Sequence, residues 1–121
     1  LDRRFLRSAR LLRPAEFRRV FDRPRKSTDH LFTVLAARSE GPRAVARVGM
    51  AISKRQVRRA VDRSRIKRLV RETFRHVRAG LVASDFVVMA RQPAVGADSL
   101  ELQASLRRHF QRLAGRPSRD A

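Results

Sequence analysis

Between Ser53 and Arg78 the chain carries 11 lysines and arginines against two acidic residues, Asp62 and Glu72, a local net charge of +9 in 26 residues. Spacing gives this charge its meaning. Wound as a helix, Ile66, Leu69, Val70, Thr73, Phe74, Val77 and Leu81 gather on one side, and Arg68, Arg71, Arg75 and Arg78 gather on the opposite one. A guanidinium is permanently charged and planar, so it can grip phosphate oxygens bidentately and stack on base faces. A helix that buries one face and offers a guanidinium row on the other suits a polyanion such as RNA or DNA. An ordinary solvated face would be laced with acidic partners, and along this row only Glu72 is at hand.

Other chemistry is sparse. Phe17, Phe21 and Phe32 could stack on unpaired bases, although phenylalanine at helical or strand spacing also makes ordinary core. His30, His76 and His109 fall in different elements without metal-ligand spacing. The carboxylates are scattered, and Asp62 and Glu72 suit ion pairing or helix capping better than acid–base work. No glycine-rich phosphate loop and no Ser/His/Asp set stands out along the sequence. Cysteine is absent, which removes disulfides, thiolate nucleophiles and zinc knuckles together. The chain does not read as a catalyst by itself.

Whole-chain composition agrees with a nucleic-acid partner. Lys+Arg number 30 and Asp+Glu 11, a net charge of +19 on 121 residues, with a pI near 12.0. Such a charge repels itself unless a polyanion neutralises it. Arginine accounts for 27 of the 30 basic residues; a G+C-rich genome raises that ratio but does not account for the excess of charge. With 42% apolar residues the chain is too hydrophobic for a disordered basic tail, and its length suits one domain. No apolar run reaches the ~20 residues that span a membrane, and no signal-peptide pattern opens the chain, so a cytoplasmic protein is expected.

The elements that must carry these residues can be read in order. Residues 1–12 form a basic arm. Pro14 opens a short helix carrying Phe17, Val20 and Phe21. Asp22 to Asp29 reads as a loop, Leu31 to Ala37 as a strand, and Ser39-Glu40-Gly41-Pro42 as a turn. From Arg47 to Arg55 apolar and small residues alternate, with Val48, Met50 and Ile52 on one face and Gly49, Ala51 and Ser53 on the other. The main helix starts between Ala60 and Asp62 and ends near Arg78, with Val57, Ala60 and Val61 out of phase with its stripe and belonging to a connection or a frayed first turn. Asp85 to Arg91 suits a strand covered on both faces. Asp98-Ser99-Leu100-Glu101 resembles a capping box ahead of a helix with Leu102, Leu106, Phe110 and Leu113 on one stripe. Residues 115–121 read as a disordered tail. The order is α-β-β-α-β-α within one α+β domain over residues 13–114.

The run from Ala51 to Arg75, with Ser53-Lys54-Arg55 followed by Arg63-Ser64-Arg65-Ile66-Lys67-Arg68 and Arg71-Glu72-Thr73-Phe74-Arg75, resembles the signature of the bacterial ribonuclease P protein component. Phe17-Arg18-Arg19-Val20-Phe21, Arg47 to Ser53 and Asp85 to Arg91 match that family's first helix and two of its strands. The resemblance implies an α/β sandwich with a left-handed crossover and a small mixed sheet. It implies a protein subunit, not itself catalytic, of a ribonucleoprotein endonuclease whose RNA removes the 5′ leader from precursor tRNA. Carried over, Arg63, Ser64, Arg65, Lys67, Arg68, Arg71 and Arg75 would contact the catalytic RNA. Phe17, Phe21, Phe32, Ser53, Lys54 and Arg55 would line the leader cleft. No cofactor is implied on the protein, and magnesium is expected for the RNA-catalysed reaction. One departure is Ser64, where the family has Asn; a hydroxyl has a shorter reach and no amide donor pair. A structural ribosomal or general RNA-binding protein would share the charge and the basic helix, but not the motif spacing.

Overall fold

The computed structural model describes residues 13–39 and 45–114. The basic arm, the end of the turn after Ser39 and the tail lie outside them. The elements run α1 (Pro14–Asp22), β1 (Arg25–Thr28), β2 (Phe32–Arg38), β3 (Arg47–Met50), α2 (Ala60–Val77), β4 (Ser84–Ala90) and α3 (Ser99–Ala114), with 3-10 turns at Arg78–Gly80 and Gln92–Gly96. One four-stranded sheet has the order β1-β2-β4-β3. β2 lies antiparallel to both β1 and β4, whereas β3 and β4 pair in parallel through the α2 crossover.

Two layers of helix cover the sheet. On one face Phe32, Val34, Ala36, Val48, Phe86, Val88 and Ala90 meet Ile66, Leu69, Val70 and Phe74 of α2 and Leu102, Leu106, Phe110 and Leu113 of α3. The seam is aromatic: Phe74, Phe86 and Phe110 contact one another edge-to-face, with centroids 5.1 to 5.9 Å apart, the arrangement ring quadrupoles favour. On the other face α1 seats Val20 and part of Phe17 on Leu35 and Val87. The central strand β4 is therefore apolar on both sides, as its sequence predicts.

Polar bonds fix where α1 sits. Asp85, whose side chain is wholly buried, receives Arg47 through two hydrogen bonds, Nε to Oδ1 at 2.9 Å and Nη2 to Oδ2 at 2.8 Å. Ser39 Oγ donates to Oδ1 at 3.1 Å and Arg19 Nη2 to Oδ2 at 3.2 Å. Arg47 also reaches Glu16 Oε2 at 2.7 Å, while Glu16 Oε1 accepts the Arg13 amide and closes the first turn of α1. The Asp85 hydrogen bonds outweigh the burial that works against charge, so Arg47 is held more firmly protonated than a free guanidinium.

The sequence-based order lacks one strand. Arg25-Lys26-Ser27-Thr28, read as loop, forms β1 at the sheet edge. Only Ser27 of the four is buried, so no apolar alternation announces the strand, and exposed Arg25 and Lys26 suit an edge that must resist further pairing. The strand expected over Arg47 to Arg55 stops at Met50, because Lys54 to Gln56 turn toward α2. The bounds of α2 and the Asp98 cap agree with expectation, the cap accepting the Glu101 amide at 2.8 Å.

β1 is tied down by α3. Ser27 Oγ lies 2.7 Å from His109 Nδ1 and accepts Arg112 Nη1 at 3.3 Å. Asp29 accepts the Ser105 hydroxyl at 2.6 Å and the Leu31 and Phe32 amides at 2.8 and 2.9 Å. His109 Nε2 stands 3.2 Å from Asp29 Oδ2 without a well-aligned hydrogen bond. The carboxylate beside Nε2 favours the ring proton on that nitrogen, the tautomer in which Nδ1 accepts from the Ser27 hydroxyl. Partial burial opposes ionisation of Asp29, but these donors together hold it well below the usual carboxylate range. Burial pushes the His109 pKa down; Asp29 pulls it up, and Arg112 and Arg108 push it further down.

Two stability predictions follow from these clusters. Asp85→Asn leaves Arg47 and Arg19 without their shared charge and should cost ~3 kcal/mol, whereas Glu16→Gln, at a more exposed pair, should cost about 1 kcal/mol or less. Urea unfolding of both variants checks the ranking, and equal losses would contradict it. For His109, the unfolded chain takes up a ring proton near pH ~6.5 that the folded chain resists. The stability contribution is thus full above that pH and declines below it. The melting temperature should fall more between about pH 7.5 and about pH 5 in the native chain than in His109→Gln. Matching slopes would show that the ring titrates alike in both states.

Candidate nucleic-acid interface

α2 presents the basic row as the wheel predicts. Ile66, Leu69, Val70, Thr73 and Phe74 are buried, Val77 is half-buried, and Leu81, beyond the helix, is buried. Opposite them Ser64 and Arg68 are exposed and Arg71 is half-exposed. Among the described residues Lys67, Arg68 and Arg71 have no hydrogen bond or ion pair within the chain. Their donors are open to a partner. Neither Asp62 nor Glu72 forms an ion pair among the described residues, so the acidic partners that a merely solvated face would use are not engaged.

Arg63 and Arg65 stand differently. Arg63 Nη1 donates to the carbonyls of Val57 and Arg58 at 2.9 and 2.8 Å, bracing the connection into α2. Arg65 Nη2 reaches the Ala97 carbonyl at 3.0 Å and Ser99 Oγ at 3.5 Å, tying α2 to the start of α3. Both guanidinium groups thus shape the N-terminal half of the row while keeping further N–H donors. Arg75 also has a contact inside the chain.

The second region is the sheet face beside α1. Register pairs Thr28 with Thr33 and Thr33 with Met89, so these side chains line up across three strands on the α1 side. The Ala51 amide continues the parallel ladder to the Val88 carbonyl at 2.9 Å. Phe17 is half-buried against the Val20, Leu35 and Val87 cluster, while Phe21, four residues on in α1, is 46% exposed. Ser53, Lys54 and Arg55 follow at the end of β3, all exposed, with Ser53 Oγ accepting the Gln56 amide at 3.2 Å. A sheet face carrying Thr28, Thr33 and Met89, with an exposed ring on the helix that covers it and two exposed cations after β3, offers the groups that a single strand uses: an aromatic face for a base and positive charge for phosphates.

Phe32 does not belong to this surface. It is 0% exposed, on the opposite face of β2 among the α2 and α3 side chains. Strand alternation decides it: Thr33, not Phe32, faces α1. Missed in the sequence were Thr28, Thr33 and Met89, whose placement on this face depends on β1 and on register across strands distant in sequence. Ser27, His109 and Asp29 do bring together a serine, a histidine and a carboxylate, but the hydroxyl and ring are both almost wholly buried, out of reach of a substrate. Among the described residues no cluster of three or more His, Cys, Asp or Glu could hold a metal ion, and no helix is long and apolar enough to cross a membrane.

Comparison with known proteins bears on the same residues. The family model for ribonuclease P matches residues 5–114. The ribonuclease P protein component of Thioalkalivibrio sulfidiphilus is 49% identical over 114 residues, covering 94% of this chain and 93% of that protein. That of Methylococcus capsulatus is 49% identical over 108 residues, covering 88% and 81%. Among solved structures, the Staphylococcus aureus RNase P protein superposes with a TM-score of 0.77 at 30% identity, over 85% of this chain and 93% of that one. The Thermotoga maritima RNase P protein shares the fold, with a TM-score of 0.75 at 23% identity over 88% and 98%. An exposed guanidinium row on the crossover helix, an open sheet face beside α1 and these matches agree, and the chain belongs to the ribonuclease P protein family.

Proposed function

We propose that this ribonuclease P protein holds its RNA partner through the outer face of α2 while seating the 5′ leader of precursor tRNA on the sheet face beside α1. The catalyst in this reading is the RNA, with magnesium, and the protein supplies positioning and neutralising charge in the cytoplasm. The observation that carries it is the uncommitted state of Lys67, Arg68 and Arg71 on a helix whose other face is anchored in the core. Rigid backing means that phosphate contacts form without first ordering the helix. Lys54 and Arg55, at the turn between β3 and α2, lie where the two surfaces join along the chain. A general RNA-binding role would use the α2 row alike, but would give no purpose to an exposed ring beside an open sheet face.

The direct test is reconstitution with a bacterial ribonuclease P RNA and precursor tRNA at low magnesium. Cleavage at the mature 5′ end should require both protein and RNA; cleavage by protein freed of RNA would overturn the reading. Arg68→Ala with Arg71→Ala should weaken binding to that RNA by ~1–3 kcal/mol and flatten its salt dependence, with the melting temperature unchanged. Full affinity in the double variant would show that the row is only solvated.

The two phenylalanines should separate. Phe21→Leu removes an exposed stacking face, so binding of precursor tRNA should weaken by up to ~1–3 kcal/mol while mature tRNA and the melting temperature stay unaltered. Phe17→Leu, half-buried against Val20, Leu35 and Val87, should lower the melting temperature as well. An unchanged precursor-to-mature ratio in both variants would remove the leader from this cleft.

A further inference from the structure

A pocket of about 760 Å³ opens between the start of α2 and the loop after β4, lined by Gln56, Arg58, Arg59, Asp62, Gln92, Pro93, Val95 and Gly96. Its chemistry is sided. Pro93 and Val95 give an apolar wall; Arg58 and Arg59 are exposed cations without partners among the described residues. Asp62 contributes a carboxylate that likewise makes no hydrogen bond or ion pair among the described residues. Gln56 is oriented: its Oε1 accepts the Gln92 amide at 3.0 Å, which leaves its side-chain NH2 free to donate.

An unpaired carboxylate on an RNA-facing surface repels phosphate. It is useful there when it accepts from a base. Of the four bases, only guanine sets two donors side by side on its Watson–Crick edge, N1–H and the 2-amino group, to match the two oxygens of one carboxylate; adenine and cytosine offer one amino group, uracil one imino N–H. We infer that this pocket takes one unpaired guanine of an RNA strand, with Asp62 accepting from N1–H and the 2-amino group, Pro93 and Val95 against the base plane, and Arg58 and Arg59 toward its phosphate. The inference rests on the ribonuclease P reading only for the source of the strand, which is either the catalytic RNA or the leader. Asp62 also sits in the first turn of α2, where a negative charge favours the helix, so the test must separate recognition from helix stability.

Two substitutions do so. Asp62→Asn keeps the shape and loses the paired acceptor. Gly96→Leu fills the pocket from a position where an added Cβ meets nothing within 4 Å. With the full chain and guanosine monophosphate as probe, the amide resonances of Gln56, Gln92, Val95 and Gly96 should shift and saturate in the millimolar range. Adenosine, cytidine and uridine monophosphates should bind roughly tenfold more weakly. Asp62→Asn should erase the preference, and Gly96→Leu should erase binding at an unchanged melting temperature. Equal shifts for all four nucleotides, or shifts that survive both substitutions, would reduce the pocket to phosphate attraction and overturn the inference. In the reconstituted enzyme, an Asp62→Asn loss confined to precursor over mature tRNA assigns the guanine to the leader, and a loss in assembly assigns it to the catalytic RNA. Loss at neither step overturns the pocket's role. Failure of the unaltered protein to assemble would instead strike the functional reading, because the mononucleotide titration does not depend on it.

Discussion

A single buried carboxylate sets the geometry of the sheet's open face. Asp85 lies in a strand that is apolar on both sides from Phe86 to Ala90, and its two oxygens hold Arg47, Arg19 and Ser39. A charge at that depth is tolerable only if its lone pairs are filled, and here four donor contacts fill them. Because Arg19 belongs to α1 and Arg47 also binds Glu16 of α1, the same contacts fix that helix on the sheet. The apolar contact of α1 is small, chiefly Val20 on Leu35 and Val87. Hydrophobic burial alone would let so short a helix slide or rotate; directional bonds to one carboxylate do not. The exposure of Phe21 and the partial burial of Phe17 are consequences of that anchoring.

Charge distribution follows a division of labour. In a chain of net charge +19, acidic residues are scarce, and those that are paired lie mostly where α1, β1 or the β1–β2 turn must be held to its neighbours: Asp85 and Glu16 at α1, Asp29 beneath α3. Among the described residues none is paired with Lys67, Arg68 or Arg71. Positive charge along α2 outnumbers Asp62 and Glu72, and neutralising such an excess is part of what drives a basic surface onto a polyanion.

How much of this could be read from the residues depended on the range of the interaction. α2 was legible almost to the residue, because a helix face is decided by neighbours three and four positions away. β4 was legible from its unbroken apolar run. β1 was not, since its reason for being a strand is the β2 partner and the α3 residues His109 and Arg112, more than eighty positions away. Phe32 was misplaced for a related cause: both its stacking and its core reading fit the local pattern, and only the register of β2 on β4 sends Thr33 rather than Phe32 toward α1. The Asp85 anchor left no local trace at all, since an aspartate at the start of an apolar strand looks like a boundary.

Arg63 and Arg65 show why a motif of alternating arginines need not be a motif of equivalent contacts. Arg68 and Arg71 point away from the core and can serve a partner alone. Arg63 and Arg65, one turn earlier, first close the approach to α2 and fasten it to α3 through the Val57, Arg58 and Ala97 carbonyls. A guanidinium can do both, because one or two N–H groups satisfy a carbonyl and the rest remain for phosphate. A lysine in either place would have no planar fork with which to bridge carbonyls and phosphate at fixed angles. The spacing thus sets two situations apart: Arg63 and Arg65 brace the approach to α2 and its tie to α3, whereas Lys67, Arg68 and Arg71 keep their donors unengaged among the described residues.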